Sequence, residues 1–542
     1  MFLRAAVVAL MMVPAEPIAG RQAHQHADAD KLGTVNFQNS CAPEVQPTLT
    51  RAVALLHSFE FSRAIDAFTE TAVKDPSCAI AYWGVAMSRW GNPFSIAIKP
   101  PAQLLPGRTA IERGRMVGAK SERERDYVAA VAALYDNFER VDQRTRMLAY
   151  RDAMGRAAAK YPDDTETSAF YALALAAAAD PADKTYVDQL KAGAILEKLW
   201  EALPDHPGLA HYIIHSYDVP ALASRALAAA RRYAKIAPSA PHALHMPSHT
   251  FTRLGYWQDS IGTNVLSAAA ARKEGQLGEE LHALDYQVYA YLQTGQDRAA
   301  KRVVDSLPQI APRFDPNLVA GAAPGSAGVF AVAAIPARYA MERGAWAAAA
   351  KLDVHASRFP FADAMTWFAR AVGSARTKDV AAARAAIDEL QKLTDSLTQA
   401  GERYWADQVA IQRLDATAWL ALAEAKPDEA LSTMRTAAER EDATEKSAIT
   451  PGPLAPAREL LGEMLLQLKQ PKPALAEFEA TLAREPNRFR ALSGAATAAL
   501  QAGDRARAHK YAQQLIKICA RADVPARADL TAARGIAMRT SK

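Results

Sequence analysis

Histidine is the residue type in this sequence whose spacing suggests chemistry, because seven of the twelve histidines lie within residues 206–282. Two HxxxH pairs occur there, His211 with His215 and His245 with His249, and the pairs are 34 residues apart. Histidines four residues apart lie on one face of a helix, one turn from each other. If residues 34 apart occupy equivalent positions in neighbouring helices, four imidazoles can meet.

Polar residues of the following segment extend this pattern. The segment HALDYQVYAYLQTG aligns with HALHMPSHTFTRLG, which begins at His242, at a shift of 40 residues. The alignment adds His282, Asp285 and Tyr289 to the column, and the same column in the next unit reaches Arg338. The complete set of candidate ligand-binding residues is His211, His215, His242, His245, His249, His282, Asp285, Tyr289 and Arg338.

Three interpretations of the imidazoles stay open on the sequence alone. They are hydrogen-bonded core residues, a transition-metal site, or a polar pocket for an organic or peptide ligand. For a metal, all-nitrogen ligation favours zinc, with copper or nickel as alternatives. The four residues of the HxxxH pairs are the predicted metal ligands, His211, His215, His245 and His249. Asp218 is a candidate to orient one of the rings.

Motifs of several common enzyme classes are absent from the sequence. It has no GxSxG elbow, no HExxH zinc motif, no phosphate-binding loop of the GxxxxGK type and no dinucleotide fingerprint. We therefore assign no catalytic residue. Hydrolysis by a metal-bound water would require that the histidines bind a metal and leave a coordination position open.

The elements that must position these side chains are helices. Half of the residues are hydrophobic, alanine runs recur and clusters of β-branched residues are scarce, which predicts an all-α protein. Two segments have the small and aromatic residues of a helix pair, in which the aromatic fills the gap between the helices. They are marked by Leu461, Gly462, Leu465, Ala474, Phe478 and Pro486, and by Ala64, Phe68 and Pro76. Further pairs are predicted around RLGYWQDSI, LQTGQDRAA, MERGAWAAA and EAKPDEALS.

These features resemble the tetratricopeptide-repeat superfamily over most of the chain, and its period of about 34 residues equals the spacing of the histidine pairs. The resemblance implies a superhelical solenoid of antiparallel helix pairs, with the histidines turned toward a concave binding face. More narrowly, the segments LGTVNFQNSC, DPSCAIAYWG and HALHMPSHTFTRLGYW are similar to exported bacterial repeat proteins with no established activity.

The N-terminal residues are typical of a secretory signal peptide. Arg4 is followed by an apolar run, too short to span a bilayer, and by small residues up to Gly20. We therefore expect a periplasmic or extracellular protein. The predicted domains are a signal peptide (1–20), a flexible segment (21–46), an N-terminal array with the histidines (47–306), a loop-rich connection (307–330) and a C-terminal array (331–542).

Cysteine and charge patterns bear on the compartment and on the partner. In an exported protein Cys41 and Cys78, which are close in sequence and remote from Cys519, are expected to form a disulfide. The net charge of +5 is spread over the whole chain without a basic stripe, which argues against nucleic-acid binding.

The leading prediction is an extracytoplasmic repeat scaffold that binds a protein, a peptide or a small ligand on a concave face lined by the histidines. The alternative is a metal-binding protein or metalloenzyme that uses the same histidines, with zinc or another divalent transition metal as its cofactor. The metal content of the purified protein would separate the two.

Overall fold

The fold is entirely helical in the computed structural model, which describes residues 30–95, 97–318 and 321–540. Throughout those ranges there is no β-strand. The predicted signal peptide, and the part of the predicted flexible segment before residue 30, lie outside the described residues. No helix of the described ranges is both long and apolar enough to cross a membrane.

The helices follow one another with short connections. The N-terminal part contains α1 Gln46–His57, α2 Phe61–Lys74, α3 Ala79–Trp90, α4 Pro101–Val117, α5 Glu122–Ala132, α6 Gln143–Lys160, α7 Thr165–Ala178, α8 Val187–Ala202, α9 Pro207–Ser216, α10 Leu227–Ile236, α11 Pro241–His245, α12 Pro247–Arg253, α13 Trp257–Lys273, α14 Leu277–Gln293 and α15 Asp297–Ile310. The C-terminal part contains α16 Gly325–Glu342, α17 Trp346–Ala349, α18 Pro360–Arg376, α19 Val380–Gln399, α20 Arg403–Ala423, α21 Pro427–Asp442, α22 Ala457–Gln467, α23 Pro471–Arg484, α24 Phe489–Gln501, α25 Arg505–Ile518 and α26 Ala528–Thr540. Short 3-10 helices span Pro43–Val45, Ala223–Ala226 and Ala311–Arg313.

Consecutive helices pack as pairs in the way that the small and aromatic residues predict. The ring of Phe478 in α23 fills the space beside two glycines, so that a Cβ atom would lie 2.9 Å from it at Gly462 and 2.3 Å from it at Gly494. Gly84 of α3 admits Phe68 of α2 equally closely, at 2.3 Å. The helix pairs predicted from sequence in the middle of the chain are also present. The predicted all-α solenoid of tetratricopeptide-type helix pairs is therefore confirmed.

The two ends of the array fold back on its middle. Asn487 of the C-terminal part accepts a hydrogen bond from the indole of Trp257 at 2.7 Å through its carbonyl oxygen. Lys446 donates to Asp218, and Ala322 belongs to the apolar core of the N-terminal helices. These long-range contacts bring connecting segments of the chain over the region of α9 to α14, which carries the histidines.

Residues 30–45, part of the segment predicted to be flexible, are packed against the first helices. Leu32 and Phe37 are buried, and a disulfide joins Cys41 to Cys78 with their Cα atoms 4.8 Å apart. The apolar side chains and this cross-link hold the segment in place, which corrects the expectation of flexibility for these residues. Cys519 is free and buried.

Candidate metal centre

Four helices supply the six histidines of the predicted set. Helix α9 carries His211 and His215, and α14 carries His282. The other three lie on α11 and α12, which meet at Met246 because Pro247 has no N–H to continue the helical hydrogen bonds and its ring clashes with the preceding turn. The break divides the segment PHALHMPSHTFTR between two short helices.

The six imidazoles form two groups, and within each group one ligand nitrogen per residue lies within 4.8 Å of the others. The first triad is His211, His215 and His242, and the second triad is His245, His249 and His282. The two triads adjoin each other, since the ring centroids of His215 and His249 are 6.0 Å apart, and so are those of His242 and His245. The structure thus brings both HxxxH pairs together and adds one further histidine to each.

Three of the rings are oriented through Nδ1 by an acceptor behind them. Nδ1 of His211 lies 2.7 Å from the backbone carbonyl oxygen of His57, and Nδ1 of His245 lies 2.7 Å from Oδ1 of Asn264. The amide of Asn264 is fixed in this orientation because its Nδ2 donates to the carbonyl oxygen of Ser260 at 2.7 Å. Carbonyl oxygens only accept, so in both rings the proton is assigned to Nδ1 and the lone pair to Nε2.

Asp218 orients His249 in the same way. Its Oδ2 lies 2.9 Å from Nδ1 of His249, and it also accepts from Arg253 at 2.9 Å and from Lys446 at 3.0 Å. Burial by itself would raise the pKa of Asp218, but Lys446, Arg253 and His249 outweigh it and hold the pKa well below its ordinary value. Asp218 is therefore a carboxylate, and the lone pair of His249 is on Nε2.

The unprotonated nitrogens of the second triad face each other. Nε2 of His245 and Nε2 of His249 are 3.1 Å apart, although neither has a proton to donate in its neutral state. Nε2 of His211 and Nε2 of His242 are also 3.1 Å apart. Two facing lone pairs at that distance repel each other, and a cation between them would turn the repulsion into two bonds.

Burial keeps these imidazoles neutral. It lowers the pKa of His249 to about 4, with Asp218 opposing the shift. Burial, followed by neighbouring histidines, also holds the pKa values of His211, His215, His245 and His282 well below the ordinary value. A neutral imidazole is the form that binds a metal.

A small cavity opens between the triads, and His215, His242, His249 and His282 reach its wall. It leaves about 10 Å³ for the centre of a water-sized sphere, close to the room that one water molecule needs. Across the described residues, Nε2 of His215 and Nδ1 atoms of His242 and His282 have no hydrogen-bond partner. The cavity is therefore lined by free imidazole nitrogens, which suits a cation better than an apolar guest.

The histidines are covered rather than displayed on an open groove. None of the six is more than 8% exposed. Residues of three connecting segments close the cavity, among them Phe94, Ala322 and Ile449, and Asn92 donates to the carbonyl oxygen of Ala322 at 2.9 Å. The expectation of an exposed histidine-lined face needs this correction, because segments that interrupt the repeats pack over the inner surface.

The remaining three predicted residues lie together, but their hydrogen bonds go elsewhere. Arg338 and Asp285 form a buried ion pair, with 3.2 Å between Nε and Oδ1, and the guanidinium also donates to the carbonyl oxygens of Gly452 and Pro453. Tyr289 lies beneath it at 4.8 Å and donates to a carboxylate of the C-terminal part. None of these bonds reaches an imidazole, so the predicted set of nine is a histidine centre next to a structural ion network.

Several residues of the site were not found in the sequence. Asn264 lies in the adjoining helix with no motif to mark it. Glu279, whose Oε2 is 3.7 Å from Nδ1 of His242, stands three residues before His282 in a Glu-x-x-His spacing that is a usable signal. A third buried group, in which His57 and His206 both contact Glu166, is fully occupied by its own hydrogen bonds at 2.7 and 3.2 Å.

No protein-family model matches the chain, and no curated protein matches it. Human IFIT1, solved as a dimer with m7Gppp-AAAA, aligns with a TM-score of 0.37 and 11% identity over 89% of this chain and 96% of that one. The Cut9–Hcn1 hetero-tetramer of the APC/C aligns with a TM-score of 0.28 and 12% identity over 92% and 97% of the two chains. Similarity at this level carries no conclusion about a ligand or partner, and the tetratricopeptide-type architecture rests on the helix pairs themselves.

Proposed function

We propose that this protein binds transition-metal ions between its helices, one ion at each histidine triad. The observation that carries the proposal is the contact between Nε2 of His245 and Nε2 of His249. Both rings have their proton assigned to Nδ1, by Asn264 and by Asp218, so no hydrogen bond can explain a separation of 3.1 Å. A bound cation explains it.

The geometry suits the metals that imidazole prefers. Two nitrogens that bind one ion at about 2.0 to 2.1 Å are about 2.9 to 3.4 Å apart for angles between square-planar and tetrahedral. The Nε2 atoms of His245 and His249, at 3.1 Å, lie inside that range. An all-nitrogen ligand set favours zinc, copper or nickel over magnesium or calcium.

Three ligands per ion would leave coordination positions open toward the shared cavity. Sites that bind zinc through three protein ligands and a water are the catalytic type, whereas purely structural sites are closed by four ligands. The protein residues would hold the imidazoles, keep them neutral and exclude bulk water. The centre is therefore suited to bind a small molecule at the metal, and hydrolysis by a metal-bound water is the reaction class to test first.

The compartment and the scaffold are part of the proposal. We propose an exported protein, and the disulfide between Cys41 and Cys78 supports an oxidising environment. Binding of a protein or peptide partner through the histidines would require the covering segments to open, since all six side chains are buried. The helix-pair array then serves mainly as the frame that aligns the two triads.

The test is the metal content of the untagged, full-length protein. After incubation with zinc or copper ions and removal of the excess by gel filtration, elemental analysis should find two ions per chain. The double variant His245→Ala/His249→Ala should retain one ion, and so should His211→Ala/His215→Ala. His355→Ala, which removes an exposed histidine outside the triads, is the matched control and should retain two. Metal at buffer level in the wild type would refute the proposal.

A further inference from the structure

A second cavity lies in the C-terminal part of the molecule, between α16, α18, α20 and the segment that follows α21. It leaves about 80 Å³ for the centres of water-sized spheres, several times the about 10 to 15 Å³ that one water needs. Its apolar wall is formed by Phe330, Met365, Phe368, Trp405, Ile411 and Leu454. We call it the C-terminal cavity, and it is distinct from the small cavity between the triads.

Three polar atoms on one wall of the C-terminal cavity have no hydrogen-bond partner in the described part of the chain. They are Nε1 of Trp405, Oε1 of Gln412 and Oδ1 of Asp415, all carried by α20. Asp415 is 1% exposed and Trp405 is 3% exposed. A buried polar group without a partner is costly, so three beside one cavity indicate a missing occupant with its own polar groups.

The charges around the cavity define what that occupant must bring. The cations that line it are already paired, since Arg253 and Lys446 donate to Asp218, and Arg484 donates to Asp442. No printed ion pair or hydrogen bond, among the described residues, satisfies Asp415. The unmet need of this wall is therefore for a donor that carries positive charge.

We propose that the C-terminal cavity binds a small organic amine, with its ammonium group at Asp415 and Gln412 and its flat apolar body against the aromatic wall. A charge-assisted bond to a buried carboxylate gives such a ligand both affinity and orientation. The face of an aromatic ring adds a favourable contact to a cation. The indole N–H of Trp405 is left to donate to an acceptor atom of the ligand, where one is present.

The protonation of the empty cavity agrees with this assignment. Burial, and then the neighbouring Glu441, raises the pKa of Asp415 well above its ordinary value. Burial also raises the pKa of Glu441 to about 7, and its one printed hydrogen bond comes from the backbone N–H of Ala457 at 2.8 Å. The carboxyl of Asp415 is therefore neutral without a ligand, and a bound ammonium ion supplies the missing counter-charge.

Calorimetric titration with benzylamine as the probe and benzyl alcohol as its neutral isostere tests the proposal on the wild-type protein. Benzylamine should bind saturably at one site, about 10-fold or more tightly than benzyl alcohol. Amines also bind metals, so the titration is run on metal-loaded and on chelator-treated protein, and the same result is expected from both. Because the cavity shares no residue with the triads, its outcome is independent of the metal proposal.

Asp415→Asn removes the charge while it keeps the shape. It should weaken benzylamine by about 10- to 100-fold and leave benzyl alcohol nearly unchanged, which also shows that the cavity has stayed folded. Asp407→Asn on the same helix, where the carboxylate pairs with Arg440 outside the cavity, should change neither affinity. Absence of saturable benzylamine binding, equal affinity for the two probes, or an Asp415→Asn variant that keeps the preference would each overturn the proposal.

Discussion

Replacing Asn264 by leucine isolates the role of the partner behind a predicted metal ligand. Leucine matches the shape of asparagine, but it removes the oxygen that accepts from Nδ1 of His245 at 2.7 Å. No charge changes, so the effect does not spread through the ion pairs around Asp218. The variant therefore leaves one buried N–H without a partner and one imidazole without its orienting bond.

The structure sets two magnitudes for this variant. In the metal-free protein a buried donor that loses its partner should lower the free energy of unfolding by about 1 to 3 kcal/mol. In the metal-loaded protein, loss of the bond behind a ligand typically weakens metal binding by about 10- to 100-fold, or about 1.4 to 2.8 kcal/mol. Only the second triad contains His245, so one of the two ions should be released first.

The assay combines chemical denaturation of the metal-free protein with competition against chelators of graded affinity. Asn264→Leu should lose one ion per chain at a chelator strength at which the wild type keeps two. Ser260→Ala is the control, because it removes a hydroxyl bonded to Thr252 at 3.1 Å on the same helix and leaves the acceptor of His245 intact. An Asn264→Leu variant that is destabilised but holds both ions with wild-type affinity would refute the assignment of His245 as a ligand.

Three further predictions concern the scaffold. Replacing Cys41 and Cys78 by serine should lower the free energy of unfolding by about 4 kcal/mol, as loop closure over the 37-residue separation predicts, and calorimetry should show no change if the cross-link is dispensable. Phe478→Lys should increase hydrogen exchange in the C-terminal helix pairs first, because stability passes between neighbours in a repeat array; equal loss of protection along the chain would contradict this. Gly84→Ala places a Cβ atom 2.3 Å from Phe68 and should cost about 1 to 3 kcal/mol, part of which Phe68→Leu should restore in the double variant; denaturation curves that coincide with wild type would oppose the packing argument.

The meeting of the two HxxxH pairs could be predicted because it depends on two local periods. Four residues set the face of a helix, and 34 residues set equivalent places in adjacent helix pairs. His215 and His249, from different pairs, accordingly have ring centroids 6.0 Å apart. The division into two triads could not be predicted, because it depends on the break at Met246 and on how α14 packs beside α11.

The residues around the imidazoles show where sequence reasoning stops. Asp218 was identified because an acid one turn beyond His215 is a common partner for a ring. Asn264 carries no comparable mark, and its contact with His245 spans 19 residues between two helices. Arg338 and Asp285 fitted the repeat column but pair with each other, since a buried guanidinium next to a carboxylate satisfies both.

The sequence by itself determined the helical class, the pairing of helices, the disulfide partners and the histidine column, because each depends on composition or on a short repeat. Only the tertiary structure decided that the column is buried. Segments around Phe94, Ala322 and Ile449 cross from distant parts of the chain to cover it. Such contacts have no period in the sequence, since they arise from the curvature summed over many helix pairs, and they turn an expected open groove into an enclosed centre.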